Sequence, residues 1–190
     1  MLSEYAPDER EGRLAYQLAF GVLQNLTLLD HEIDKWCSGK LQPQIRDLLR
    51  LGAYQILCLD KIPDRAAVNE SVVLCRELGL GRASGLVNAV LRRISENKND
   101  LIKSAKAGTA EYLHLRYSHP LWFVNKMIAA HGYDFTEQLL AANNAQSPIT
   151  LQINTLRCKT EDYCRVLERA DILFELPPYP QNCIQISGHR

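Results

Sequence analysis

Apolar residues recur at helical spacing through the first hundred positions. Leu14, Leu18, Val22 and Leu26 share one face of a helix that Asp8 can cap and that runs to about Asn25. Thr27 can cap the next helix, which carries Leu29, Ile33 and Trp36 and stops at Ser38-Gly39. Pro43 suits the first turn of a third helix to about Leu59, with Ile45, Leu48, Leu49, Ile56 and Leu57. Apolar coverage that wide predicts the central buried helix. Gly52 within it admits a close neighbour at some cost in helix propensity. After the break at Lys61-Ile62-Pro63, Asp64 can cap a fourth helix to about Leu78. Gly79-Leu80-Gly81 interrupts again, and a fifth helix, Arg82 to about Asn97, buries Leu86, Val87, Val90, Leu91 and Ile94. Short connections between such helices favour a compact bundle.

Asn97-Lys98-Asn99-Asp100 marks a loop or boundary. Beyond it, Glu111–Tyr117 reads as a short helix, Ser118-His119-Pro120 opens another to about His131, and Asp134 can cap a third to Asn143. After Ser147-Pro148 the period changes from 3.6 to 2. Thr150–Asn154 alternates like a strand, a helix follows from Thr160 to about Ala170, and Ile172–Leu176 and Cys183–Ile186 read as strands. The expected architecture is mainly α: a helical bundle over 1–104, a helical connector over 105–145, and over 146–190 a partial α/β subdomain of order β-α-β-β. With no further helix before Arg190, that sheet is expected to expose an edge and an apolar face.

Composition narrows the class. The 190 residues are 46% hydrophobic and 23% charged, as in globular proteins. No apolar run approaches the ~18 residues of a membrane span. The N-terminus lacks the basic start and apolar core of a signal peptide, so the expected compartment is the cytoplasm. None of the six cysteines forms a C-x-x-C pair, which argues against structural zinc. Cys58 and Cys75 lie in apolar stretches and read as buried thiols. Net charge is zero, so any basic surface has to be local. One stretch qualifies: Arg82, Arg92, Arg93, Lys98, Lys103 and Lys106 stand against only Glu96 and Asp100. By itself such a run reads first as a solvated helix face.

Catalytic and cofactor motifs are sparse. Gly79-x-Gly81-x-x-x-Gly85 follows a helix rather than a strand, and its last glycine is one residue late for a dinucleotide loop. Gly79 reads as a helix C-cap. His114 and His119 lie five apart across a helix break, where capping or surface roles compete with metal ligation. No G-x-S-x-G and no catalytic triad is present. No catalytic, cofactor or metal residue is assigned.

Four segments carry a resemblance. They are Leu49 with Leu51-Gly52-Ala53-Tyr54-Gln55-Ile56-Leu57, then Lys61-Ile62-Pro63, then Ala66-Ala67-Val68-Asn69-Glu70-Ser71-Val72, then Gly85-Leu86-Val87-Asn88-Ala89-Val90-Leu91-Arg92-Arg93. Together they resemble the NusB-type helical domain, in the version at the front of the Sun/RsmB class of ribosomal RNA cytosine-5 methyltransferases. The second part agrees. Tyr117-Ser118-His119-Pro120-Leu121-Trp122 is similar to that class's Ser-His-Pro-x-Trp junction. Ala142-Asn143-Asn144, Pro148 and Leu151-Gln152-Ile153-Asn154-Thr155 are similar to its Asn-Asn-x-x-x-Pro and Leu-Arg-Ile-Asn-Thr segments.

The resemblance implies ribosomal RNA as ligand, with the six basic residues as candidate contacts. It implies S-adenosylmethionine and two catalytic cysteines in a domain that follows the α/β unit, so Cys158, Cys164 and Cys183 inherit no catalytic role. A helix and an arginine-rich element that precede the matched region in the family are absent apart from Arg10 and Arg13. The implied consequence is a bundle open on one side, or one that self-associates. The alternative implied by the NusB resemblance is an adaptor that binds RNA and a protein partner in transcription antitermination.

Overall fold

The computed structural model describes residues 9–37, 39–102, 105–145, 147–179 and 182–189. Described residues up to Asn144 form one compact unit and those from Ala145 a second. Asp8 and Ser38 lie outside the described residues.

The first unit is helical. Its helices are α1 (Glu9–Gln24), α2 (Leu26–Asp34), α3 (Pro43–Cys58), α4 (Asp64–Glu77), α5 (Ser84–Glu96), α6 (Ala110–Tyr117), α7 (Leu121–His131) and α8 (Tyr133–Asn144). Pro43 occupies the first turn of α3, and Ile45, Leu48, Leu49, Ala53, Tyr54 and Ile56 are buried along it. This helix packs against α1, α2, α4 and α5, the central position its wide apolar coverage predicts. Gly21 and Gly52 are where backbones come close: a Cβ on Gly21 would collide with the Tyr54 ring, and one on Gly52 with Leu91 and Ser71. Gly79, at φ +73°, closes α4, its N–H donating to the Arg76 carbonyl while the Leu80 N–H reaches Cys75. This is the Schellman arrangement, for which glycine has no Cβ penalty.

Polar pins fix helix pairs. Asp30 of α2 accepts from Arg46 at 3.1 Å and from Arg50 at 2.7 and 2.8 Å, both on α3. Burial alone would raise the Asp30 carboxyl, but the two guanidiniums outweigh it and hold it below the usual range. Glu32, only 4% exposed, accepts from Lys35 at 2.6 Å and from the Ile102 backbone at 3.2 Å. Ile102 has φ +58°, costly for a β-branched residue. Burial of its side chain with Leu28 and Leu115, together with the Glu32 bond, holds it there.

Several expectations need correction. Leu86 is 40% exposed. The buried stripe of α5 is Val87, Val90, Leu91 and Ile94, and Leu86 shares its azimuth with exposed Arg93 seven residues on. Leu14 is exposed, because α1 packs only from Leu18 onward. Thr27 does not cap α2: Asn25 holds the cap position, and the first-turn amide of Leu28 is satisfied by Ser118 Oγ at 3.1 Å, 90 residues away. Asp64 and Asp134 are the first-turn acids of α4 and α8 rather than their caps. Cys75 is buried, but Cys58 is exposed at the end of α3.

The second unit comprises β1 (Ile149–Gln152), α9 (Thr160–Arg169), β2 (Ile172–Glu175) and β3 (Cys183–His189). β3 lies between β1 and β2, antiparallel to both, with Thr150 opposite Gln185 and a bulge between Leu173 and Phe174. α9 packs against β2, and Leu167 and Tyr163 join Ile184, Ile186 and Phe174 in the core. Thr150, Gln152, Gln185 and Glu175 share the opposite face by strand alternation. Cys183, opposite Gln152, and Leu173 lie on it too, so that face is mixed and not apolar throughout as expected.

Candidate nucleic-acid interface

α4 and α5 lie side by side and leave an open groove of about 410 Å3 between them. Arg65, Val68 and Asn69 line it from α4, and Arg92, Ser95 and Glu96 from α5. Both sets follow the i, i+3, i+4 spacing of one helix face. Val68 is buried, while both guanidiniums are exposed and make no ion pair with a described residue. Asp64 also lines the groove and is tied down there: Ser95 Oγ donates to it at 2.7 Å and Lys98 Nζ at 2.9 Å. Burial pushes its carboxyl up, but these two donors prevail and hold it below the usual range. Lys98 thus neutralises an acid at the groove.

The other basic candidates are dispersed. Adjacent residues on a helix point about 100° apart, and Arg93 stands over the Trp36 ring, 5.7 Å from its centroid, instead of entering the groove with Arg92. Arg82 occupies the single-turn 3-10 segment Gly81–Ala83 and lines a separate opening with Gln42, Ile45 and Gly79. Lys106 is exposed ahead of α6. Lys103 lies outside the described residues. Arg65 and Asn69 were missed as candidates; the one available signal was their spacing of four on the helix that also carries Asp64. Two free guanidiniums in an open groove are suited to phosphate oxygens, which they can grip with paired N–H donors. Such contacts position a backbone and carry no base information.

The junction after α6 is built from hydrogen bonds. His114 and His119 each approach a carbonyl through Nδ1, of His119 at 2.6 Å and of Tyr117 at 2.7 Å. A carbonyl only accepts, so Nδ1 carries the proton in both rings. Among the described residues no cluster of His, Cys, Asp and Glu could hold a metal ion. Protein crowded around Cys58 pushes it up to about 11 despite its exposed edge, and burial raises Cys37 and Cys164.

Residues 1–96, which span α1 to α5, match the model of the NusB family. The chain belongs to the NusB family. Residues 119–190 match the ferredoxin-like domain of Methyltr_RsmF/B-like proteins. This NusB-family chain is 30% identical over 175 residues to the ribosomal RNA small subunit methyltransferase B of Serratia proteamaculans, covering 88% of the chain and 38% of the relative. It is 31% identical over 152 residues to the probable ribosomal RNA small subunit methyltransferase B of Bacillus subtilis, covering 79% and 34%. In fold it is similar to the crystal structure of PH0851, with a TM-score of 0.65 at 18% identity over 99% of the chain and 42% of that structure. The chain therefore spans little more than a third of the length of these curated relatives. Gly79-Leu80-Gly81 does not form a dinucleotide loop, since α4 and not a strand precedes it. Gly79 closes a helix, and Gly81 opens a 3-10 turn rather than following a strand. No described helix is long and apolar enough to cross a membrane.

Proposed function

We propose that this chain binds ribosomal RNA for a small-subunit cytosine-5 methyltransferase, holding the RNA while chemistry proceeds in a domain outside the described residues. The observation that carries the reading is the pairing, in one chain, of a NusB domain with an RsmF/B-type ferredoxin-like domain. The groove of Arg65 and Arg92 is the proposed phosphate contact; Arg82 and Arg93, which lie outside it, and Lys106 ahead of α6 are further candidate contacts. S-adenosylmethionine would be the donor used by that other domain.

Affinity for labelled small-subunit ribosomal RNA fragments at several salt concentrations tests the reading. Arg65→Glu with Arg92→Glu should weaken binding alike across sequences and reduce the salt slope by roughly one unit per lost contact. Unchanged affinity and slope, with the fold intact by circular dichroism, would remove the groove from the interface. Tyr16, Phe20 and Leu23 lie exposed on α1, and this favours a second reading in which the chain also takes a protein partner. Light scattering that gives a strict monomer at high concentration rules out a second copy as that partner.

A further inference from the structure

We propose that the start of α7 is a stacking platform for an unpaired RNA base, with Trp122 as the stacking ring. The inference rests on the RNA-binding reading but concerns a different helix and a different kind of contact. Trp122 is 69% exposed, although indoles are usually well covered. It is also held in place. Phe123 meets it edge-on at 5.9 Å, and the His119 ring stacks on Phe123 at 5.9 Å with 23° between planes. His119 is fixed in turn by the Tyr117 carbonyl and by the Asn143 amide, 3.4 Å from Nε2. The same Tyr117 carbonyl accepts from Asn144 at 2.9 Å, and neighbouring Ser118 is anchored to α2 through Leu28. The aromatic group is thus pre-organised by α2, α6 and α8, which lowers the ordering cost of a contact.

The chemistry around the ring selects the ligand. Asn125 and Lys126 follow Trp122 at i+3 and i+4, both exposed, and α7 contains no acid. Lys126 makes no ion pair with a described residue. A nucleotide matches this pattern: its base covers the indole, and its phosphate meets the ammonium one turn along. Base–aromatic stacking is tolerant of sequence, since every base has a π-face. A docking helix matches less well, because it needs apolar anchors repeated at i+3, i+4 and i+7. Asn125, Lys126 and Ala129 stand at those spacings.

The chain has two tryptophans, so Trp36→Phe leaves Trp122 as its sole indole. In that background, a short single-stranded oligouridylate should quench the fluorescence saturably, and an RNA duplex of equal length should not. Trp122→Ala should weaken single-strand binding about 5- to 150-fold, the ratio equivalent to one stacked base. Trp122→Phe should retain most of the affinity, and duplex affinity should not change in either variant. Circular dichroism should report an unaltered fold, as expected for an exposed position. Single-strand binding seen by anisotropy of labelled RNA, without quenching or with equal affinity in Trp122→Ala, overturns the platform and leaves the RNA reading standing. Loss of all RNA binding in the parent chain overturns both. A blue shift that grows with protein concentration alone would place a second copy on Trp122 and overturn the platform.

Discussion

Gly52→Ala puts two opposing effects on one atom. Alanine in a helix interior is favoured over glycine by about 1 kcal/mol, so an exposed site would gain. At Gly52 the added Cβ would lie 2.5 Å from Leu91 Cδ1 and 2.7 Å from Ser71 Oγ, where ordinary contact is 3.4–4 Å. Neither neighbour has room to move. Leu91 is fully buried, and Ser71, 4% exposed, donates to the Ala67 carbonyl at 2.8 Å. Overpacking of this kind costs ~1–3 kcal/mol, and a displaced buried hydrogen bond adds up to ~1 kcal/mol. The net expectation is a loss of about 1–2 kcal/mol. In urea, with m taken as ~2 kcal/mol/M, that lowers the midpoint by roughly 0.5–1 M. Gly85→Ala is the control: nothing lies within 4 Å of its Cβ, so propensity acts alone and the midpoint should rise slightly. Leu91→Ala by itself should cost ~2–5 kcal/mol, and adding Gly52→Ala to it should cost less than Gly52→Ala alone, because only the Ser71 collision remains. A midpoint for Gly52→Ala equal to or above wild type, or strict additivity with Leu91→Ala, would refute the packing argument.

Ser118→Ala removes the acceptor for the Leu28 amide and should destabilise the fold by about 1 kcal/mol in denaturant melts. Ser118→Gly should cost less, since glycine suits the φ of +53° at that residue. Asp30 has its carboxyl lowered in the folded state, so its contribution is present above the unfolded pKa of about 4 and is lost as pH falls through the folded value. Asp30→Asn should therefore lower stability at neutral pH and flatten its decline below pH ~4; an acid limb parallel to wild type would contradict the assignment. Gly79→Ala should destabilise by about 1 kcal/mol, because φ +73° places a Cβ in the left-handed region; an unchanged melting midpoint would count against that closure of α4.

Much of the helical architecture was legible from periodicity and punctuation. Pro43 opens α3, Gly79 closes α4, and the switch to period 2 after Pro148 locates β1, all local signals of backbone preference and amphipathic spacing. The resemblance was legible for the same reason, being carried by contiguous residues. What periodicity could not supply was the partner across a helix pair. Leu86 and Val87 are equally apolar, and only the position of α5 against its neighbours leaves Leu86 at the margin and Val87 at 0% exposure. The run of basic residues looked continuous along the chain, yet the fold separates it. Arg92 turns into the groove beside Arg65, Arg93 leans over Trp36, and Lys98 neutralises Asp64. Those pairings join residues 27 to 57 positions apart, as read from the numbering. The sequence determined which side of its own helix each residue occupies; only the packing of helices decided what that side would face.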